Sequence, residues 1–145
     1  MARHSVGALS AGAGSTTLPL LSLYAAAANG GRLREVGIFN TTSVALAVAL
    51  RRLTTAGTQG AALTEAPHDP AVPPLMTAFN THTGAPTLGA DLGYRAVIGA
   101  EVGAGVIWTM GDNGIIIPVG TANGVGVIIE NGTGQICQIY FVWDE

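Results

Sequence analysis

Three histidines, one cysteine and a thin scatter of carboxylates are the side chains in this sequence that offer base, thiolate or metal-ligand chemistry. His4, His68 and His82 fall in no metal-binding spacing such as H-x-x-x-H, so a zinc site is not expected. His68 followed by Asp69 has the form of an oriented base, yet no G-x-S-x-G elbow supplies it with a nucleophile. A hydrolase built on His68 or His82 is therefore the weakest reading. Cys137 sits inside the apolar run 135–143 with no histidine in the fifty residues before it. It reads as a small buried hydrophobe, because a reactive thiolate needs a base and an electropositive setting.

The acidic residues Asp69, Asp91, Glu101, Asp112 and Glu130 are dispersed singly, without the convergent pair that glycoside hydrolysis uses. Gly111-Asp-Asn-Gly114 lacks the alternating carboxylates and closing Glu of a calcium loop, and a hairpin turn accounts for it better. Gly12-Ala-Gly-Ser15 lacks the G-K-[ST] of a phosphate loop. Asn40-Thr-Thr42 and Asn131-Gly-Thr133 match the N-glycosylation pattern, which has meaning only in a secreted chain. The sequence therefore predicts no enzyme and no cofactor.

Charge points the same way. Only 10% of the residues are charged against a usual ~25%, lysine is absent and the net charge is −3. Nucleic-acid binding needs clustered Lys or Arg, so it is not expected. Arg32, Arg34, Arg51 and Arg52 form the only basic grouping, and Arg32 and Arg34 share one strand face as a solvated or interface edge. A surface this poor in charge and rich in Gly and Ala favours burial in an oligomer.

The elements that must carry these residues are short. Residues 1–17 hold almost no large apolar side chain and are expected to form a mobile arm. The apolar stretch 18–28 ends like a signal-peptide cleavage site. A polar spacer, however, separates it from Arg3 and His4, and it is far short of the ~20 residues of a membrane span. It is read as a first strand, so residues 1–28 form arm plus strand and residues 29–145 the main domain. Val44, Leu46, Val48 and Leu50 alternate with Ala45, Ala47 and Ala49, the period of a strand. Ala66-Pro-His-Asp-Pro-Ala-Val-Pro-Pro74, with four prolines, must be a surface connection, and Leu75–Phe79 begins one short helix. Five further apolar runs separated by Gly/Asn turns follow from Leu92 to Trp143. The whole predicts an all-β, antiparallel, jelly-roll-like sandwich of about eight strands with an extended N-terminal arm.

Gly37-Ile-Phe-Asn-Thr-Thr42, Arg51-Arg-Leu-Thr-Thr-Ala-Gly57, Ala78-Phe-Asn-Thr-His-Thr83, Ile107-Trp-Thr-Met-Gly111 and Tyr140-Phe-Val-Trp-Asp-Glu145 together resemble small virion structural proteins of tailed phages, in particular capsid decoration (cement) proteins. The resemblance spans residues 32–145 and equally covers a tail component. It implies a homo-oligomer, a trimer on the family pattern, that binds between major capsid subunits on the capsid surface of a virion made in the host cytoplasm. In that picture Leu18, Leu20, Leu21 and Tyr24 anchor the arm on a neighbour, Arg32 and Arg34 lie at an interface edge, and Trp143 is an interface aromatic. A receptor- or glycan-binding appendage using loops 66–74 and 81–91 is the alternative; no membrane contact is expected.

Overall fold

A computed structural model describes residues 1–145 as eleven strands and no helix. The strands are β1 (Arg3–Leu9), β2 (Leu21–Tyr24), β3 (Gly31–Asn40), β4 (Leu46–Leu53), β5 (Ala66–Pro67), β6 (Thr77–Phe79), β7 (Leu88–Ile98), β8 (Gly105–Thr109), β9 (Ile115–Ile117), β10 (Gly124–Asn131) and β11 (Cys137–Asp144). All pairings are antiparallel. One six-stranded sheet has the order β5-β1-β11-β3-β8 with β9 also on β3, and a five-stranded sheet has the order β6-β2-β10-β4-β7.

The connectivity is that of one long hairpin rolled on itself. β1 pairs with β11, β2 with β10, β3 with β8 and β4 with β7, and successive pairs alternate between the two sheets. Eight principal strands in this nested order make a jelly roll, and β5, β6 and β9 are short additions. The core lies between the sheets. Cys137, Ile139, Phe141 and Trp143 of β11 and Val36 and Ile38 of β3 face Leu21 and Leu23 of β2, Val125, Val127 and Ile129 of β10, and Leu46, Val48 and Leu50 of β4. Leu46, Val48 and Leu50 of β4 thus turn to the core as their alternation requires, while Ala47 and Ala49 belong to its other face; Val44, expected with them, precedes the strand and is 50% exposed.

Three expectations are corrected. Residues 3–9 are not an arm: β1 runs between β11 and β5, and the side chains of His4 and Val6 are buried. The hydrogen-bonded ladder with β11 supplies what the weakly apolar sequence lacks, so residues 1–28 belong to the same body as the rest. Leu75–Phe79 does not start a helix, because Ser22, Leu23 and Tyr24 of β2 recruit residues 77–79 as β6. Finally, Gly111–Gly114 is not a hairpin. β8 and β9 both pair with β3 in the same direction, and residues 110–114 are an excursion between two halves of one interrupted strand.

Candidate functional site: an uncovered sheet face

The side chains that could do chemistry are engaged in holding strands together. His82 is buried and its Nε2 lies 2.8 Å from Ser22 Oγ, itself fully buried on β2, while its ring stacks on Tyr24. Burial pushes the imidazole below its usual value, the Gly84 backbone opposing this in part. A serine–histidine contact of this length is the geometry of an activated nucleophile; here Ser22 is fully buried, and His82, 2% exposed, borders an open cleft of about 470 Å³ with Gly12, Leu18 and Thr81. His68 is exposed and reaches Ser5 Oγ at 3.3 Å, while Asp69 accepts the Ala71 N–H in its own turn at 3.0 Å. The adjacent His68 and Asp69 therefore do not act on one another. No three His, Cys, Asp or Glu side chains gather in one place. Asn40 of the first glycosylation pattern is buried, donating to the carbonyls of Val44 and Gly99, whereas Asn131 is exposed.

Cys137 is fully buried, and burial pushes its thiol up to about 11. We expect no labelling by a thiol reagent at pH 8 in the folded chain and one thiol per chain after denaturation; prompt labelling of folded protein counts against this placement.

Of the residues expected at an interface, four lie in the protein's own interior. Leu20, Leu21 and Trp143 are fully buried, and Tyr24 is 2% exposed with its hydroxyl donating to Thr55 O at 3.0 Å. They cannot also bind a neighbour, because the opposite sheet and the chain's own loops already occupy their surfaces. Leu18 is half-buried, its N–H bonded to Ser15 Oγ. Arg32 and Arg34 grip the 110–114 excursion: Arg32 donates to Asn113 O at 3.5 Å and Arg34 to Asp112 O, while Arg34 Nε also meets Asp144 at 3.0 Å.

Asp144 joins three strands, since Arg3 on β1 donates to it at 2.8 and 3.1 Å and Arg34 approaches from β3. The hydrogen bond from Arg3 holds its carboxyl below the usual value; burial opposes this, and the charges of Arg3 and Arg34 assist. A depressed folded value stabilises the protein above the ordinary carboxylate range and is lost as pH falls through it. Asp144→Asn should therefore lower Tm at pH 7, by an amount that shrinks as pH falls below the ordinary carboxylate value and vanishes once it has passed through the depressed folded one. With Arg3 half-exposed the effect should stay at about 1 kcal/mol or less. A penalty that persists at low pH would remove the ion pair as its cause.

Beside it, the fully buried His4 packs 5.7 Å from Trp143, and its Nε2 lies 3.3 Å from Glu145 Oε1 without the geometry of a hydrogen bond. The Glu145 carboxylate accepts the Leu75 and Met76 N–H groups at 2.8 and 2.9 Å and Asn29 Nδ2 at 3.0 Å. It closes the Pro-rich connection onto the body.

The two outer sheet faces differ. Over the middle of the five-stranded sheet the chain covers itself: Pro19 lies against Gly126, His82 stacks on Tyr24, and Ser22, Leu53 and Ile128 are buried although they face outward, while the β7 edge with Val97 stays bare. The six-stranded sheet has no such cover. Its outward row Gly7, Tyr140, Gly37, Ile107 crosses four strands in register, and the next row is Leu9, Gln138, Phe39, Gly105. Leu9 and Ile107 are 52% and 53% exposed. Tyr140 lies flat over Gly37, where a Cβ would come within 2.0 Å of Cε1, and stacks on Phe39. Its hydroxyl donates to Glu35 at 2.6 Å; burial, with help from that carboxylate, pushes its ionisation up to about 12. The face is thus flat, aromatic in its middle and almost uncharged there. Tyr140 and Val142 alternate with the inward Ile139, Phe141 and Trp143 on β11, and the register that brings them beside Gly37 and Ile107 is not written locally.

One open cleft of about 510 Å³ is lined by Tyr24, Ala26, Gln59, Leu75, Phe79 and Thr121, with no charged group. No helix is long and apolar enough to cross a membrane. Comparison with family models, with curated proteins and with solved structures returned no match.

Proposed function

We propose that this chain is a non-enzymatic virion structural protein that decorates a tailed-phage capsid and stabilises it by binding between major capsid subunits, working as a homo-oligomer, a trimer on the family pattern. One observation carries the reading: the outer face of the six-stranded sheet leaves Leu9, Phe39, Ile107, Tyr140 and Val142 side by side with none of the chain's own loops across them, and no cluster of catalytic groups competes with it. Surfaces of that kind belong to proteins that act by contact. The motifs at 37–42, 51–57, 78–83, 107–111 and 140–145 add the resemblance to cement proteins. Many weak copies on a lattice would strengthen a shell through multivalency.

The test is co-sedimentation with capsid shells of the encoding phage stripped of small structural proteins, followed by heating of the loaded and bare shells. Saturable binding with a higher shell disruption temperature is expected. Absence of shell binding, with binding to isolated tails instead, would reassign the protein to the tail. A glycan-binding appendage is the second reading, favoured by the uncharged cleft between Tyr24, Phe79 and Gln59. Retention on immobilised cell-surface glycans, lost in Gln59→Ala, would support it over the first.

A further inference from the structure

We infer that the outer face of the six-stranded sheet is buried against a second copy of this chain. This rests on the homo-oligomer part of the reading above and gives that oligomer its surface.

Strand addition at the sheet edges is obstructed at each of the four edges. β5 covers His4 and Ser5 of β1 and ends in Pro67, which has no N–H to offer, and at the other end of β1 Asn80 Nδ2 donates to the Leu9 carbonyl. β6 is capped by its own chain, with Leu63 N–H bonded to Ala78 O, Asn80 N–H to Ala61 O and Ala78 N–H to the Glu65 carboxylate. β7 slips register twice against β4 and carries Gly93 at φ 78, its N–H turned back to Asp91. β8 and β9 are broken by the 110–114 excursion. Bulges, interruptions and covers of this kind prevent edge-to-edge pairing. The middle of the five-stranded sheet is covered by the chain itself and only its β7 edge is bare, with Val97 82% exposed, so the apolar surface that runs across several strands is the face of Leu9, Phe39, Ile107, Tyr140 and Val142.

The electrostatics and size of that face select a like partner. Arg3 and Arg34 share Asp144, and Glu35 accepts from the Tyr140 hydroxyl and keeps its charge. Two positive and two negative groups leave the face without net charge, so it calls for neither an acidic nor a basic partner, and an identical face brings no repulsion to the apolar middle. Strands β1, β11, β3 and β8, of 7, 8, 10 and 5 residues, average about 25 Å in length and lie about 4.8 Å apart, a plan area near 500 Å². Side-chain relief raises the accessible area toward the ~800 Å² per partner of a stable interface.

The experiment is light scattering on the full chain and on Ile107→Glu, Leu9→Glu and Val97→Glu, with circular dichroism to check folding. Ile107 and Leu9 lie on different strands of the face, and Val97, 82% exposed on β7, is the control. A face packed on its own copy closes with two-fold symmetry, so the wild type and Val97→Glu should run as pairs of about 29 kDa, two chains of 14.6 kDa. Both face variants should remain folded and associate about a hundredfold more weakly. A wild type that is monomeric at every concentration overturns the inference, as do face variants that keep the wild-type mass. If a monomeric wild type binds shells and Ile107→Glu does not, the face belongs to the shell and the decoration reading stands. Shell binding of the wild type is scored separately, so the two can fail independently.

Discussion

A chain beginning at Arg32 should be unfolded. It lacks β1, which lies between β11 and β5 in one sheet, and β2, which lies between β10 and β6 in the other. Val6, Leu20, Leu21, Leu23 and Tyr24 leave the core with them. At about 1.5–3 kcal/mol for each fully buried side chain, the loss is comparable with the 5–15 kcal/mol that stabilises a whole domain. The stubs left behind also expose unpaired backbone on β10 and β11, a template for aggregation. We expect loss of the cooperative thermal transition and of near-ultraviolet dichroism. A soluble truncated chain with a sharp transition would return residues 1–31 to the status of a dispensable arm.

Trp143→Ala should lower stability by about 3–5 kcal/mol, the range for removing a buried aromatic, and Tm by roughly 10–20 °C. Trp143 is fully buried between His4 and the β3–β11 ladder, and its Nε1 has no hydrogen-bond partner. That orphaned donor makes Trp143→Phe the informative companion. It keeps an aromatic ring and removes an unpaired N–H, so much of the loss should be recovered. An interface tryptophan behaves differently: its removal weakens assembly, and the penalty depends on protein concentration. Thermal melts at two concentrations a hundredfold apart separate the two, since a core role gives the same loss at both.

The parts of this fold that could be read from the sequence are those whose stability is local. The Val/Leu and Ala alternation of β4 and the burial of Cys137 within an apolar run are local patterns, whereas Trp143, expected at an interface, needed the pairing of β11 with β1 and β3 to show that it faces the core. β1 could not be read, because Arg3–Leu9 contains little apolar surface and becomes a strand only through residues at the far end of the chain. Gly111–Gly114 has the composition of a hairpin, and only the shared partner β3 makes it an excursion. Leu75–Phe79 illustrates tertiary pairing overriding a local helix signal. The same reason hid the candidate surface. Phe39, Ile107 and Tyr140 are unremarkable singly, and only pairing across β11, β3 and β8 places them side by side.

The pairing of β1 with β11 also sets a timetable. Arg3 meets Asp144 across 141 positions of sequence, and β11 is the strand on which both β1 and β3 depend. Topologies dominated by such distant contacts fold in about milliseconds to seconds, not microseconds. At a synthesis rate of about 5–20 residues per second, β1 must wait roughly ten seconds or so for its partner. During that interval Val6 and the ladder edge of β1 are unprotected, so the first residues made are among the last to find their place.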